Sequence, residues 1–248
     1  MDDARSDVNP HVERVRSAVV DALKNGDQSV DQIGRVCRAC VELLPVDGAS
    51  IAVMSGTQNR ETLYASDDVV SRLEALQFTL GEGPCFEAFD TGRPVLVPDL
   101  DHAATRAWPV FASEIIGEPV GAIFAFPVQN GAFSIGAIDM YRREPGWLSP
   151  PELAIALQVV DVASVALLGL HAKQQVGRHM DDEALLMLPR ERIAVHQATG
   201  MLIAQFDISP AEALARLRGY AFATGRLVEE VSREIVERRL VLDDTESI

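Results

Sequence analysis

Cys37-Arg38-Ala39-Cys40 sets two thiols at a spacing used by metal sites and redox centres. A structural zinc needs four ligands, usually two such pairs or one pair with two histidines. Cys85 is the only other cysteine, and His11, His102, His171, His179 and His196 are scattered without ligand spacing. Redox pairs normally sit where a strand meets a helix. These two fall mid-helix, where a spacing of three puts both on one face. Burial in a core is the favoured reading, with a redox role for Cys37, Cys40 or Cys85 left open. No metal and no cofactor are expected.

Gly81-Glu82-Gly83-Pro84-Cys85 is the second candidate. A Gly-rich turn can cradle a phosphate, but this one lacks the Lys-Ser/Thr of a P-loop and the third Gly of a dinucleotide fingerprint. It reads as a structural turn, or as a segment lining a small-ligand pocket through Gly81, Glu82, Gly83 and Cys85. No G-x-S-x-G, H-E-x-x-H or kinase signature is present. No catalytic residue is assigned, and the chain is not read as an enzyme.

Elements must position these residues. Residues 1–10 are polar and read as disordered. A modest helical pattern follows from His11 to about Asn25, and a second runs from Ser29 to Leu44 until Pro45 ends it. The period then changes. Ala49 to Met54, Glu61 to Ser66 and Pro94 to Leu100 read as strands, with short helices over Cys85 to Phe89 and Trp108 to Ile116. Gly121 to Gln129 and Ala132 to Tyr141 flank Asn130-Gly131, the signature of a type I′ hairpin. Pro127 argues for an edge position or strand end in the first arm. Ser149-Pro150-Pro151-Glu152 is a capping box that opens a long helix, which reaches at least His171 and extends as a stalk to about Met187. Irregular alternation of five strands with helices predicts an α+β domain, an antiparallel or mixed sheet with helices on one face. Beyond Ser149 every segment reads as helix. Three short helices follow Pro189, over Arg190 to Phe206, Pro210 to about Thr224 and Val228 to Arg239.

The stretch from Leu153 to Leu170 has the length of a membrane span, but Gln158, Asp161 and Ser164 interrupt it. An aspartate at a bilayer centre costs roughly 3 kcal/mol. It reads as a buried helix of a soluble protein. The acidic N-terminus has no basic start and no apolar run, so no signal peptide is expected and the chain reads as cytoplasmic.

The chain has 248 residues, 48% of them hydrophobic, and a net charge of −15. That charge excludes a generally basic nucleic-acid coat protein and a polybasic membrane binder. The charge is unevenly spread. Residues 189–240 hold eight Arg, no Lys and seven acidic residues, whereas residues 1–188 carry −13. Arg suits phosphate forks and stacking on bases. The same pattern also fits solvated helix faces with i,i+4 pairs.

Two resemblances follow from specific residues. The stretch from about Ser29 to Leu170 resembles a GAF domain. The likeness is carried by Leu44-Pro45-Val46-Asp47-Gly48-Ala49-Ser50, Gly81 to Cys85, Pro94 to Leu100 and Ser134-Ile135-Gly136-Ala137-Ile138-Asp139. It implies a sensor with a small-ligand pocket over an antiparallel sheet, and leaves the ligand unnamed. Residues from about Arg190 to Leu240 resemble the ANTAR domain, a three-helix antiterminator module. Its carriers are Val195-His196-Gln197-Ala198-Thr199-Gly200-Met201-Leu202, Ile208-Ser209-Pro210-Ala211-Glu212-Ala213, Leu217-Arg218 and Ala221. Thr199 stands where that family often has Lys.

The resemblance implies binding of paired RNA hairpins that keeps a terminator from forming. Ala198, Gly200, Ala213 and Ala221 are read as packing positions. Arg192, His196, Thr199, Arg218 and Arg233 are the candidate RNA contacts, provided they share an outer face. The expected domains are a GAF-like sensor over 11–170, a helical connector over 171–188, an ANTAR-like unit over 189–240 and an acidic tail over 241–248. A homodimer is expected through Leu153, Leu157, Val160, Leu167 and Leu170, a stripe that could equally cover the sheet. The expected partners are nascent RNA, a small ligand of the sensor and a second copy of the chain, with no membrane. Two rivals stand beside this reading. One is a ligand-binding or redox module whose tail binds protein. The other is an enzyme acting on the sensor's ligand.

Overall fold

The computed structural model describes residues 30–55, 59–100, 107–131, 133–176 and 190–242. The segment 1–10, the helix expected over His11 to Asn25, the stalk beyond Val176 and the tail from residue 243 lie outside them.

Period-two alternation builds one five-stranded sheet. Its strands are β1 (Gly48–Ser55), β2 (Asn59–Ala65), β3 (Val95–Val97), β4 (Ala122–Asn130) and β5 (Phe133–Arg142), in the order β2-β1-β5-β4-β3. Every neighbouring pair is antiparallel. The expected β4–β5 hairpin forms, but its turn lies one residue later than Asn130-Gly131 predicts: Asn130 pairs with Phe133 at the end of β4, and Gly131, at φ 63°, opens the turn. Pro127 does not lie on an edge strand, because β4 runs between β5 and β3. The reason it is tolerated is the length of β3, which pairs only with Ile123 to Ala125. Past Ala125 that side of β4 faces no ladder, and a missing N–H there costs nothing.

Helices cover both faces of the sheet, where the sequence predicts only one covered face. Alternate residues on both sides are apolar enough to need a lid: Ala122 through Val128 are all buried. On one face lie α1 (Val30–Leu43) and α5 (Pro150–Val176), packed on Ile51, Phe124, Phe126, Ile138 and Met140. On the other lie α2 (Asp68–Leu80), α3 (Pro84–Thr91) and α4 (Pro109–Glu114), packed on Ile123 and Tyr141 or near Met54 and Ala137. Helix α2 is not among the sequence expectations. Asp67 caps its start through Val70 N–H at 2.9 Å, and Gly81 closes it in the left-handed region at φ 68°.

The inward side of α5 is Ile155, Ala156, Val159, Val160, Ala163, Ala166 and Leu167. Residues 150–169 are long and apolar enough to cross a membrane by length and composition, yet these seven side chains belong to the core of the sheet. Burying a leucine such as Leu167 contributes about 1.5–3 kcal/mol. The expected dimer stripe therefore divides. Val160 and Leu167 cover the sheet, while Leu157 is 44% exposed beside Val165 at 60%.

The tail forms three helices, α6 (Arg190–Phe206), α7 (Pro210–Ala223) and α8 (Val228–Val236). Ser209 and Glu212 make the expected capping box at the start of α7. Val195, Ala198, Leu202, Ala213, Leu217, Ala221, Val231 and Ile235 form the core of this bundle.

Candidate functional site

A cluster of charged and polar side chains lies buried between the sheet and helices α2 and α3. Glu74 projects from α2 and is 2% exposed. Its Oε1 accepts from Ser50 Oγ at 2.9 Å, and its Oε2 accepts from Thr62 Oγ1 at 2.9 Å and Arg60 Nη2 at 2.5 Å. Arg60 Nη1 donates to the Glu74 carbonyl at 3.0 Å, and the guanidinium lies 5.3 Å from the centre of the Phe86 ring. One turn on, Gln77 joins the next two members. Its Nε2 donates to Asp139 Oδ2 at 2.6 Å, and its Oε1 accepts the Cys85 N–H at 2.9 Å. Glu74, Cys85 and Asp139 each offer one ligand atom within 4.8 Å of the others.

Electrostatics follow from this packing. Burial pulls the Arg60 guanidinium toward losing its proton, but Cys85, Glu74 and Asp139 outweigh that and hold it charged. Burial, reinforced by the Glu74 charge, pushes the Asp139 carboxyl up to about 7. Burial also holds the Cys85 thiol well above its ordinary range, although Arg60 opposes the shift.

The expected pocket residues divide by job. Gly81 closes α2. Glu82 Oε1 accepts from Val110 N–H at 2.9 Å and Phe111 N–H at 2.8 Å, capping the start of α4. Gly83 takes φ 135°, and a Cβ there would sit 2.6 Å from Gln77 Oε1. The turn thus aims Gln77 and Cys85 inward, and only Cys85 of the four enters the cluster. Arg60, Glu74, Gln77 and Asp139 were not singled out from sequence as site residues. The available signal was a lone carboxylate, Asp139, in the apolar run of β5.

Cys37 and Cys40 are buried in the apolar core between α1 and the sheet. Burial raises both thiols, Cys40 to about 12.

The tail packs on the same helix α2. Phe78 is 3% exposed and belongs to the bundle core with Leu202, Leu214 and Leu217. Arg218 lies over the Phe78 ring, its guanidinium carbon 4.9 Å from the centroid. Val228 N–H donates to Thr79 Oγ1 at 3.2 Å. Beside this contact runs a groove of about 570 Å³ lined by Thr62, Tyr64, Arg72, Leu227, Glu230 and Arg233.

The candidate RNA contacts are therefore not brought to one open face. Arg218 is held against the sensor, Arg233 is exposed at the groove between sensor and tail, and His196 is exposed on α6. Thr199 Oγ1 donates to the Val195 carbonyl at 2.7 Å. Arg192 lies in α6, with its side chain outside the described residues. Of the expected packing positions, Ala198, Ala213 and Ala221 are fully buried. Gly200 is exposed, and a Cβ added to it would meet nothing within 4 Å, so close helix packing does not explain it.

Comparison with known proteins matches two parts of the chain to families. The family model for the GAF domain matches residues 29–168, and the model for the ANTAR domain matches residues 187–236. A search of curated proteins found no match. Among solved structures, the chain is similar to the GAF domain of a phosphoenolpyruvate-protein phosphotransferase from Coxiella burnetii. That likeness has 15% identity and a TM-score of 0.54, over 68% of this chain and 99% of that one. The GAF domain of the Acinetobacter phosphoenolpyruvate-protein phosphotransferase aligns with 14% identity and a TM-score of 0.53, over 70% and 99%. At these identities the likeness shows the fold alone. The chain belongs to the GAF family and carries an ANTAR domain behind its sensor, which makes it a sensor-regulator with an RNA-binding output.

Proposed function

We propose that this chain is a cytoplasmic antitermination regulator, not an enzyme. Its ANTAR unit, over about 189–240, binds paired hairpins of nascent RNA, and its GAF unit, ending near residue 170, takes the signal. One observation carries the coupling: Phe78 of the sensor sits in the core of the RNA-binding bundle, with Arg218 laid on its ring. An arginine held there is not available to a phosphate or a base. The docked arrangement is the closed state, and a signal that moves α2 frees Arg218. Such a signal acts only by binding the two arrangements with different affinity.

RNA contacts come from Arg192, His196, Thr199, Arg218 and Arg233. The exposed Leu157 and Val165 of α5 offer a seam for a second copy. A mass that stays monomeric over a wide concentration range would remove the dimer from this picture.

The deciding experiment is selection from a two-hairpin RNA pool with the full-length protein at two salt concentrations. Phosphate contacts weaken steeply with salt, so enrichment of particular loops that survives the higher salt marks specific recognition. An Arg218→Ala/Arg233→Ala protein should lose it. No enrichment by wild type, with or without cell extract supplying a signal, would favour the reading of the tail as a protein-binding element.

A further inference from the structure

The geometry points to a binding site for a transition-metal dication, of the zinc or ferrous class, held by Glu74, Cys85 and Asp139 behind the sheet. Three elements supply the donors: α2, α3 and β5. None of the three donors is more than 3% exposed, and one ligand atom from each lies within 4.8 Å of the other two. A tetrahedral ion with a sulfur at 2.3 Å and oxygens near 2.1 Å draws its donors to separations of about 3.6 Å. Small side-chain shifts supply that difference.

A second observation points to a missing occupant. Asp139 Oδ1 is buried with no N–H or O–H donor group against it, Oδ2 is held by Gln77, and the carboxyl meets the Glu74 carboxylate, with which it pairs only by sharing a proton. Two buried carboxylates held together in this way are costly once that proton leaves, and a cation satisfies both. Glu74 Oε1 accepts from Ser50, and the cation takes the place of the proton between Glu74 and Asp139.

Charge fits as well. Ionised, the three donors carry three negative charges and Arg60 carries one positive charge. A dication brings the buried sum to zero, with the thiol proton and the proton shared by Asp139 and Glu74 both released to solvent as the metal binds. Arg60 stays paired with Glu74 Oε2 and orients that carboxylate from behind, as outer partners of metal ligands do. A thiolate with two carboxylates selects transition dications over magnesium or calcium, whose preferred donors are oxygen alone. Three protein ligands leave one position for water or a small signal molecule.

The site explains how a signal could reach the tail, and only this consequence rests on the function proposed above. Glu74 and Phe78 are four residues apart on α2, hence neighbours on one side of the helix. A pull on Glu74 shifts the ring that the ANTAR bundle grips.

The test is titration of the reduced full-length protein with cobalt(II), without RNA, so that its failure is separate from failure of the RNA reading. One cobalt per chain with a near-ultraviolet thiolate-to-cobalt band is the expected result. Cys85→Ser should abolish the band, Asp139→Asn should weaken affinity roughly tenfold or more, and Cys40→Ser should leave both unchanged. If Cys85→Ser does not fold, X-ray absorption of the wild-type cobalt complex reads the donors directly. One sulfur with oxygens supports the site. Folded wild type without the band, a band that survives Cys85→Ser, or a donor set without sulfur overturns it.

Discussion

The two faces of one sheet are built on opposite terms. Under α1 and α5 the core is apolar throughout, from Ile33 and Cys37 to Phe126, Met140 and Leu167. Under α2 and α3 the same strands turn Ser50, Arg60, Thr62 and Asp139 toward Glu74, Gln77 and Cys85. The first face is what stability alone would select. The second burdens the fold, because desolvating an ion pair costs about as much as the pairing returns, and apolar replacements are often neutral or better. Three cysteines make the contrast sharp. Cys37 and Cys40 lie in the apolar core, whereas Cys85 sits beside a guanidinium and two carboxylates. Departure from the rules of a good core is the reason for proposing a function on the polar face.

The largest effect expected is from Arg60→Ala. It leaves Glu74 buried without its counter-charge, and should cost about 3–5 kcal/mol in urea unfolding. Replacing both partners, as Arg60→Met/Glu74→Leu, should recover most of that loss while removing a proposed metal ligand. If the double variant is as unstable as the single one, the polar face is a structural necessity and the contrast with the apolar face collapses.

Phe78→Ala comes next, at about 3 kcal/mol for a buried phenylalanine. Its stability loss should fall on the tail, measured by hydrogen exchange in α6 to α8, and its affinity for a selected RNA should rise because Arg218 is released. Weaker RNA binding with the bundle still folded would mean that the docked arrangement is the active one.

Much of this architecture was legible in local chemistry. Asn130-Gly131 announced the hairpin. Ser149/Glu152 and Ser209/Glu212 announced two helix starts, and both reciprocal bonds from the Ser N–H to the Glu are made, at 2.7 and 2.9 Å. Helix α2 is written in the sequence although it is not among the expectations: Val69, Leu73, Leu76 and Leu80 keep a spacing of three and four between Asp67 and Gly81. Glu74 and Gln77 lie beside that stripe, and nothing local marks them as buried. The polar cluster was hidden for a different reason. Its members come from positions 60, 74, 77, 85 and 139, and only the sheet brings such distant residues together. The covering of both faces was missed because α2 was missed.

The thiols offer a gentler test of the same contrast. With Cys40 raised to about 12 and Cys37 and Cys85 also raised, the native protein should react with a thiol reagent at pH 8 only as it unfolds. The sign of the linkage is fixed. A folded-state pKa above the unfolded value stabilises the protein fully below about 9 and loses that contribution as the pH rises. For Cys40 the window runs from its ordinary 9.0 to about 12. Addition of cobalt should protect Cys85 further and leave the labelling of Cys37 and Cys40 unchanged. Equal protection of all three would mean that the metal stabilises the whole fold without touching the thiol.

Gly200 carries the smallest effect and separates stability from function most cleanly. Elsewhere, a glycine is required by space: a Cβ on Gly136 would stand 2.3 Å from the Ala52 carbonyl oxygen. Gly200 is different, being helical, exposed and free of neighbours. Alanine there should stabilise α6 by about 1 kcal/mol, read as a higher urea midpoint. His196 is four residues back and shares that face, so an RNA backbone approaching His196 would pass over Gly200. Gly200→Ala should then gain stability and lose RNA affinity together. A gain in stability with unchanged RNA binding would move the interface off the α6 face and onto Arg233 and Arg218, of which the sensor holds Arg218.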